Sequence, residues 1–401
     1  MKLYHGDCLE ELKKLEDNSV DAVITDPPYG LSNTKPQQVA DVLRAWVTGD
    51  TESVPAKRGG FMGKDWDSFV PPPAVWEECM RVLKPGGHMA VFAGARTQDL
   101  MGLSIRLAGF EIRDTLGWVY GSGFPKSHNI SKAIDKATAA ECEEIATSEA
   151  QQWDGWGTAL KPAIEPIILA RKPLDGTVAN NVLSHGVGGL NIDACRVPHG
   201  DEVDMQAQQR QQSEGGDSVT GAFGAGGLVG SPIPMYKPGG RFPANVLLDE
   251  HAAKEMDEQS GWQKDGTAVQ RNRKNSEANP NGIYRSHVRE AESDQTFGSG
   301  GGASRFFPVF KYQAKAPKKE RPVIEREDGT KIQHNTVKPL ALMEWLVSLI
   351  VPPGGTVLDP FAGSGTTLQA ALSKDFTPIG IEQDADYIEL IKKRLGLLAQ
   401  Q

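Results

Sequence analysis

Long apolar runs, paired cysteines and a positive net charge are all missing from this 401-residue sequence. No stretch approaches the roughly 20 apolar residues that a membrane-spanning helix needs, and the first residues lack the apolar run of a signal peptide. The four cysteines, at positions 8, 79, 142 and 195, are scattered, which predicts neither a disulfide framework nor a zinc or other metal site. We therefore expect a soluble cytoplasmic protein, long enough for one large α/β core with a smaller domain or an insertion.

The net charge of -9 argues against extensive phosphate binding, because nucleic-acid proteins usually carry a basic surface. Between residues 271 and 326, however, basic side chains outnumber acids, and aromatic rings lie among them. The basic residues are Arg271, Arg273, Lys274, Arg285, Arg289, Arg305, Lys311, Lys315, Lys318, Lys319, Arg321 and Arg326, and the aromatic ones are Phe306, Phe307, Phe310 and Tyr312. Such a stretch can follow a nucleic-acid backbone, although taken alone it is more typical of a solvated charged surface.

Short apolar strands alternate with helical patterns at both ends of the chain, which is typical of a parallel sheet flanked by helices. Strands are predicted at 3–5, 20–25, 88–93, 110–120, 164–170, 356–359 and 378–381, and helices at 8–15, 73–83, 97–108, 340–350, 366–373 and 385–397. Between about 176 and 330 the periodicity disappears, and Gln-rich and Gly-rich runs replace it. We therefore predict one doubly wound α/β domain made of residues 1–175 and 331–401, with 176–330 as an irregular insertion.

A glycine loop at 361–367 follows a predicted strand and opens a predicted helix. Gly363 and Gly365 allow a tight turn and a close approach to a ligand, and the helix start offers N–H groups to a carboxylate. A purely structural turn explains the loop equally well when it is taken alone. The spacing is not that of a dinucleotide fingerprint, and no P-loop lysine follows.

Two acids lie at the ends of predicted strands, where open α/β sheets bind ligands. Glu382 is placed to accept hydrogen bonds from both hydroxyls of a ribose, and a surface glutamate is the alternative. Asp7 is a second such acid, and a helix N-cap is its alternative role.

The segment Asp26-Pro27-Pro28-Tyr29 follows an apolar strand directly and gives the sharpest signal in the sequence. Two prolines stiffen the backbone and leave the Pro27 carbonyl without a partner in the sheet. The Asp26 carboxylate and this carbonyl can together accept the two hydrogens of an amino group, while Tyr29 offers a flat face on which a flipped base can stack. A Pro-Pro turn with an N-capping aspartate is the alternative interpretation.

These motifs resemble the amino-specific DNA methyltransferases with permuted motif order, the beta class. Asp26-Pro27-Pro28-Tyr29 resembles the catalytic tetrapeptide, and Asp359-Pro360-Phe361-Ala362-Gly363-Ser364-Gly365 resembles the loop that binds S-adenosylmethionine (AdoMet). The tetrapeptide comes first along the chain and the loop last, which is the permuted order; protein-glutamine and many RNA methyltransferases place the loop first. The resemblance covers roughly residues 1–175 and 331–401, and the segment 117–127 is similar to phage and prophage members.

The resemblance implies AdoMet as cofactor and double-stranded DNA as substrate, and it leaves room for a homodimer and a companion restriction endonuclease. The implied cofactor-binding residues are Asp7, Asp26, His334, Asn335, Thr336, Lys338, Asp359, Phe361, Gly363, Gly365, Thr366 and Glu382, and the implied catalytic residues are Asp26, Pro27, Pro28 and Tyr29. The irregular middle, 176–330, would be the target-recognition region.

The predicted reaction is site-specific methylation of adenine N6 by base flipping and direct in-line transfer. Cytosine N4 is the alternative acceptor, and the aspartate at the first tetrapeptide position favours adenine by resemblance. The chain contains no Pro-Cys pair, so the thiolate attack of cytosine-C5 enzymes lacks its nucleophile. A catalytically silent AdoMet-fold protein that binds DNA remains a second class of function, and a dinucleotide oxidoreductase would need its glycine loop at the other end of the chain.

Overall fold

A computed structural model of the protein describes most of the chain. The described residues are 1–31, 35–49, 69–137, 148–198, 236–237, 240–264, 268–270, 295–297, 300–310, 321–326, 328–334 and 336–397. Among them, no helix is both long and apolar enough to cross a membrane.

Nine strands form one central sheet. In chain order they are β1 (Lys2–His5), β2 (Val20–Thr25), β3 (Leu83–Phe92), β4 (Glu111–Val119), β5 (Ile164–Arg171), β6 (Val246–Asp249), β7 (Val309–Phe310), β8 (Thr356–Asp359) and β9 (Thr377–Glu382). Their order across the sheet is β1-β9-β8-β2-β3-β5-β4-β6-β7. All neighbours are parallel except that β5 runs antiparallel to both β3 and β4. Strands from the two chain ends are therefore interleaved in a single sheet.

Helices cover both faces of this sheet. In chain order the helices of the described residues are α1 (Cys8–Leu12), α2 (Pro36–Thr48), α3 (Pro73–Val82), α4 (Gln98–Leu107), α5 (Ile130–Ala137), α6 (Ser148–Gln151), α7 (Val178–His185), α8 (Glu250–Ser260), α9 (Leu340–Ile350), α10 (Thr366–Ser373) and α11 (Ala385–Arg394). Strand side chains alternate between the faces with the period of two that a pleated strand imposes. Val23 of β2 packs with Trp76 of α3 in one buried cluster, and Ile24 packs with Leu346 of α9 in the other. The predicted doubly wound α/β fold is confirmed.

Four remaining strand pairs are short and antiparallel. They join Tyr236–Lys237 to Gly240–Arg241, Gln263–Lys264 to Gly300–Gly301, Ala268–Gln270 to Gln295–Phe297, and Val323–Glu325 to Lys331–Gln333. Two turns of 3-10 helix lie at Asp193–Cys195 and Ala303–Phe306.

Several element boundaries differ from the sequence prediction by one to five residues, and two of these differences have a local structural reason. Helix α1 ends at Leu12 and not at residue 15, because the next backbone bonds tighten to a three-residue spacing, with Lys14 N bonded to Glu11 O at 3.1 Å. Strand β3 begins at Leu83 and not at 88, because Leu83 pairs with Val20 before the register shifts around the Pro-Gly-Gly sequence.

The chain divides into two compact units, with boundaries that differ from the predicted insertion at 176–330. The first unit comprises Met1–Cys195, Ala244–Ala252 and Val309–Gln401, and the second comprises Arg196–Pro243 and Ala253–Pro308. Residues just before Arg196 belong to the first unit because they pack on α9; Cys195 is buried there, and Asn191 N donates to Leu349 O at 2.8 Å. Strands β6 and β7 also extend the sheet of the first unit. They have four and two residues, which is too short for the sequence periodicity to predict them.

The second unit has its own internal contacts. The backbones of Val197 and Arg241 exchange two hydrogen bonds of 3.0 and 2.7 Å. The Asp257 carboxylate accepts hydrogen bonds from the N–H and the hydroxyl of Ser304, at 2.8 and 2.7 Å. The guanidinium of Arg305 lies 4.3 Å from the centre of the Phe306 ring, a cation–π contact.

Candidate active site

The tetrapeptide and the glycine loop lie side by side because their strands are neighbours. β2 and β8 are parallel, with Ala22 opposite Val357 and Val23 opposite Leu358, so the two loops leave the same edge of the sheet. At this edge the hydroxyl of Thr25 donates a 2.6 Å hydrogen bond to Oδ1 of Asp359. The topology therefore brings together two motifs that stand at opposite ends of the chain.

The Asp26 carboxylate is held by two partners, one on each oxygen. The Tyr29 hydroxyl donates to Oδ1 at 2.7 Å, and the Lys338 ammonium lies 3.1 Å from Oδ2. Lys338 Nζ also donates to the Tyr29 hydroxyl at 2.8 Å and to Oε2 of Glu165 at 2.8 Å. The four side chains form one connected polar cluster.

Lys338 is the centre of this cluster and is nearly buried, with 12% of its side chain exposed. Its ammonium lies 4.7 Å from the centre of the Phe92 ring and 5.3 Å from that of Tyr29. Burial by itself lowers the pKa of a lysine, but the carboxylates of Asp26 and Glu165 outweigh it and hold the pKa of Lys338 above its ordinary value. Lys338 is therefore a permanent cation in this site.

The backbone of the tetrapeptide is fixed from a neighbouring turn. Thr97, just before α4, donates its hydroxyl to the Tyr29 carbonyl at 2.6 Å.

Burial, followed by the charges of Asp26 and Glu165, raises the pKa of the Tyr29 phenol well above its ordinary value, so the phenol stays protonated and serves as a donor. Among the described residues, no backbone N–H donates to the Pro27 carbonyl.

The glycine loop takes a backbone shape that other residues rarely adopt. Gly363 and Gly365 have φ values of +51° and +78°, and a β-carbon on Gly363 would lie 3.0 Å from Nε2 of His334. Oδ1 of Asp359 accepts the N–H of Phe361 at 3.1 Å as well as the Thr25 hydroxyl. Burial raises the pKa of Asp359 to about 6 although these hydrogen bonds oppose the shift.

Glu382 connects the end of β9 to the glycine loop. Its carboxylate accepts the N–H of Gly363 on Oε2 and the N–H of Asp384 on Oε1, both at 2.8 Å. The side chain is 9% exposed, and burial raises its pKa to about 6. Its main-chain carbonyl accepts the Gly6 N–H at 3.0 Å, which fixes the end of β1 beside it.

The remaining cofactor candidates lie around this loop with varied contacts. Phe361 packs on Trp76 with ring centres 6.3 Å apart, and His334 packs on Tyr387 at 4.6 Å. Thr366 is buried in the first turn of α10, and Thr336 is exposed.

Asp7 caps α1 by accepting the Leu9 N–H at 3.0 Å, which is the N-cap role that the sequence also allows for it. Asn335 lies outside the described residues.

The sequence-based site does not include Glu165, although an acid within the apolar run of β5 is a signal that could have indicated it. The resemblance implies a cofactor role for Lys338, and in the structure its ammonium contacts Asp26, Tyr29 and Glu165.

Comparisons with known proteins agree with the motifs. The relatives include the type II methyltransferase M.HindIII of Haemophilus influenzae, 29% identical over 47% of this chain and 64% of that protein. They also include the DNA adenine methyltransferase YhdJ of Escherichia coli, 44% identical over 16% of this chain and 22% of that protein. The chain thus spans less than two thirds of the length of these curated relatives.

A similar solved structure is the M1.HpyAVI–SAM complex, with 16% identity, a TM-score of 0.42 and coverage of 99% of both chains. Another is the cytosine-N4-specific PvuII DNA methyltransferase, with 13% identity and a TM-score of 0.44 over 100% of this chain and 86% of the other. The profile of one family, described as DNA methylase of the N6 and N4 type, matches residues 20–393. With the tetrapeptide, the glycine loop and nearly the whole chain inside that match, the protein belongs to this DNA methylase family.

Proposed function

We propose that this protein transfers a methyl group from AdoMet to the N6 amino group of adenine in double-stranded DNA, at specific sites and on a flipped base. The observation that carries the proposal is the position of Asp26-Pro27-Pro28-Tyr29 at the end of β2, directly beside the strand that leads into the glycine loop. An amino-group acceptor pair next to a small-molecule loop is the arrangement that this transfer needs.

The residues around the loop fit AdoMet. Gly363 has φ +51° and no side chain, so a ligand can approach the backbone of this turn. Glu382 is a buried carboxylate at a strand end, and a carboxylate has about four acceptor positions, so the two N–H groups it binds leave capacity for ribose hydroxyls. Phe361 is half-buried beside the loop and offers an apolar ring. We assign AdoMet to these residues, with Asp7, His334, Thr336 and Thr366 at its margin.

When bound, AdoMet supplies an electrophilic methyl group on sulfur. The adenine amino nitrogen is a weak nucleophile because its lone pair is delocalised into the ring. Asp26 and the Pro27 carbonyl accept its two N–H bonds, which fixes the nitrogen and turns its lone pair toward the methyl group. Such positioning is worth about 7 kcal/mol or more. With AdoMet bound, the nitrogen would form the new bond to the methyl carbon while the sulfur–carbon bond breaks and the sulfur leaves as a neutral thioether. The methylated ammonium would then release one proton to solvent.

Adenine is favoured over cytosine N4 as the acceptor by resemblance, because aspartate at the first position of the tetrapeptide is commoner among the adenine-N6 members of the family. The Asp26 carboxylate is a charged acceptor and binds the N–H of either amino group more strongly than a neutral hydroxyl would, so acceptor strength alone does not choose the base. The relative YhdJ, named as an adenine methyltransferase, supports the same assignment.

We further propose the beta class for this protein, with the tetrapeptide before the AdoMet loop, and a phage or prophage origin. Target recognition is assigned to the second compact unit, Arg196–Pro243 and Ala253–Pro308, together with the basic residues up to 326. A homodimer and a companion endonuclease are compatible with this function. The cytoplasm, where DNA and AdoMet are both present, is the corresponding location.

Transfer of radioactive methyl groups from AdoMet to DNA by the purified protein tests the proposal. Wild-type protein should label DNA that lacks methylation, and Asp26→Ala should label none while binding DNA as before. A wild-type protein that binds AdoMet but never labels DNA would instead support a silent DNA-binding protein.

A further inference from the structure

The Lys338 ammonium contacts side chains of the tetrapeptide and of β5, and a role in AdoMet binding alone does not explain these contacts. An ammonium has three hydrogens to donate, and Nζ lies within 3.1 Å of three oxygens: Asp26 Oδ2, Tyr29 Oη and Glu165 Oε2. These oxygens come from two separate parts of the sheet, the loop after β2 and the start of β5. All three hydrogens of the ammonium are therefore used. Lys338 links the loop after β2 and the start of β5 to the segment that precedes α9.

The hydrogen bonds in this cluster run in one direction and fix the Asp26 carboxylate. Lys338 donates to the Tyr29 oxygen, and the Tyr29 hydroxyl donates to Oδ1 of Asp26. Lys338 also contacts Oδ2 directly. Each carboxylate oxygen therefore has one donor, and its other acceptor position remains for the amino group of the substrate.

The charges of the cluster do not cancel. Asp26 and Glu165 contribute two negative charges against the one positive charge of Lys338. A buried lysine needs one carboxylate to be compensated, and the second leaves a net negative charge beside the reacting nitrogen. The nitrogen becomes positive during methyl transfer, so this charge lowers the energy of the transition state more than that of the ground state.

We infer that Lys338 and Glu165 are positioning residues for the transfer: Lys338 aims the Asp26 carboxylate, and Glu165 balances Lys338 so that the cluster stays negative. The inference deepens the proposed function and rests on it. Lys338 then acts on the Asp26 carboxylate and not on AdoMet. A buried ion cluster that only stabilises the fold would affect unfolding without changing the rate-versus-pH profile.

Steady-state kinetics across pH, with AdoMet affinity measured by calorimetry, test the inference on the full chain. We expect Lys338→Met to lower kcat on the order of 100-fold, as removal of one preorganised electrostatic group does. The AdoMet Kd should stay within about threefold, a change of less than 1 kcal/mol. Lys338→Arg, which keeps the charge, should recover part of kcat.

The pH profile of kcat should change in both variants, because Lys338→Met removes a positive charge beside Asp26 and Glu165→Gln removes a negative charge from the same cluster. The other titratable groups that interact electrostatically with the cluster, His334, Asp359 and Tyr120, are unchanged in both variants.

Matched controls come from the exposed pair Lys13–Glu10, whose charged atoms are 2.7 Å apart. Lys13→Met and Glu10→Gln make the same charge changes and should leave kcat and its pH profile unaltered. If Lys338→Met raises the AdoMet Kd and keeps kcat, Lys338 serves the cofactor and the inference is wrong. If Lys338→Met does not fold, the test depends on Glu165→Gln. A profile of kcat against pH identical to that of wild type would then overturn the inference. Failure of the wild-type protein to methylate DNA would instead refute the proposed function.

Discussion

Thr25 and Asp359 are joined by a 2.6 Å hydrogen bond, although 334 positions separate them in the sequence. Thr25 is the last residue of β2 and Asp359 the last of β8, so the bond ties the start of the tetrapeptide to the start of the glycine loop. Both side chains are buried. The bond therefore adds to the pairing of β2 and β8 in fixing the tetrapeptide beside the glycine loop.

Replacing Thr25 by Val should separate these two loops. The change keeps the β-branched shape and leaves Asp359 with one donor fewer, at an expected cost of about 1–3 kcal/mol in the free energy of unfolding. Urea unfolding measures this cost, and AdoMet affinity should fall with it. Thr115→Val on the exposed surface of β4 is the control and should cost little. Equal stability of the two variants would contradict the role given to the bond.

Glu382→Ala should weaken AdoMet binding strongly. The substitution removes a carboxylate that fixes Gly363 and that we assign to the ribose. Calorimetry should show a rise in Kd of about tenfold or more, the equivalent of 1.4 kcal/mol. Glu389→Ala, at an exposed position on α11, should leave the Kd unchanged. An unchanged Kd in Glu382→Ala would remove the ribose assignment.

The stability of the fold should depend on Glu382 in a defined pH range. Its pKa is raised from an ordinary value of 4.5 to about 6, so between these values the folded state binds more protons than the unfolded one. The contribution of this group to stability is therefore present below pH 4.5 and is lost as the pH rises toward 6. In Glu382→Gln the free energy of unfolding should fall less steeply over this range. An identical slope in both proteins would contradict the shift.

Gly363→Ala should damage the AdoMet loop more than a glycine substitution elsewhere. The alanine would have φ near +51° and its β-carbon 3.0 Å from His334. Gly49→Ala separates the two causes, since Gly49 has φ +74° but no atom within 4 Å of a β-carbon. Both variants should lose about 1 kcal/mol of stability from the backbone strain. Only Gly363→Ala should lose AdoMet affinity; equal affinities would mean that no ligand approaches there.

A linker replacement should test the DNA-binding role of the basic stretch. Residues 271–294 carry five basic side chains and four acidic ones, and an equally long Gly-Ser linker would remove all nine. The basic residues are Arg271, Arg273, Lys274, Arg285 and Arg289, and the acidic ones are Glu277, Glu290, Glu292 and Asp294. AdoMet binding should persist, while DNA affinity falls and depends less steeply on salt because phosphate contacts are lost. Site-specific methylation that survives the replacement would exclude this segment from target recognition.

The sequence predicts those parts of the fold that are locally encoded. The bounds of Val20–Thr25, Leu340–Ile350, Thr356–Asp359 and Thr366–Ser373 agree to the residue, because apolar periodicity and flanking Gly and Pro mark them. The shared edge of the tetrapeptide and the glycine loop follows from parallel strands. Strand β6 has four residues and no periodicity of its own, so only its pairing with β4 and β7 identifies it.

The contacts of Lys338 could not be predicted in the same way. Its motif indicated a cofactor residue, and nothing local shows that its side chain reaches Asp26 and Glu165. Glu165 approaches only because β5 lies antiparallel beside β3, a pairing that sequence periodicity does not specify. Residues that act through tertiary contacts are visible only in the folded chain.

The most direct test of methyl transfer at Asp26 is mass spectrometry of nucleosides from a host without DNA methylation. DNA from cells that express the wild-type protein should contain N6-methyladenine, and DNA from cells that express Asp26→Ala should contain none. N4-methylcytosine alone would correct the base and keep the reaction. Wild-type DNA without either methylated base, or equal methylation by Asp26→Ala, would contradict the account.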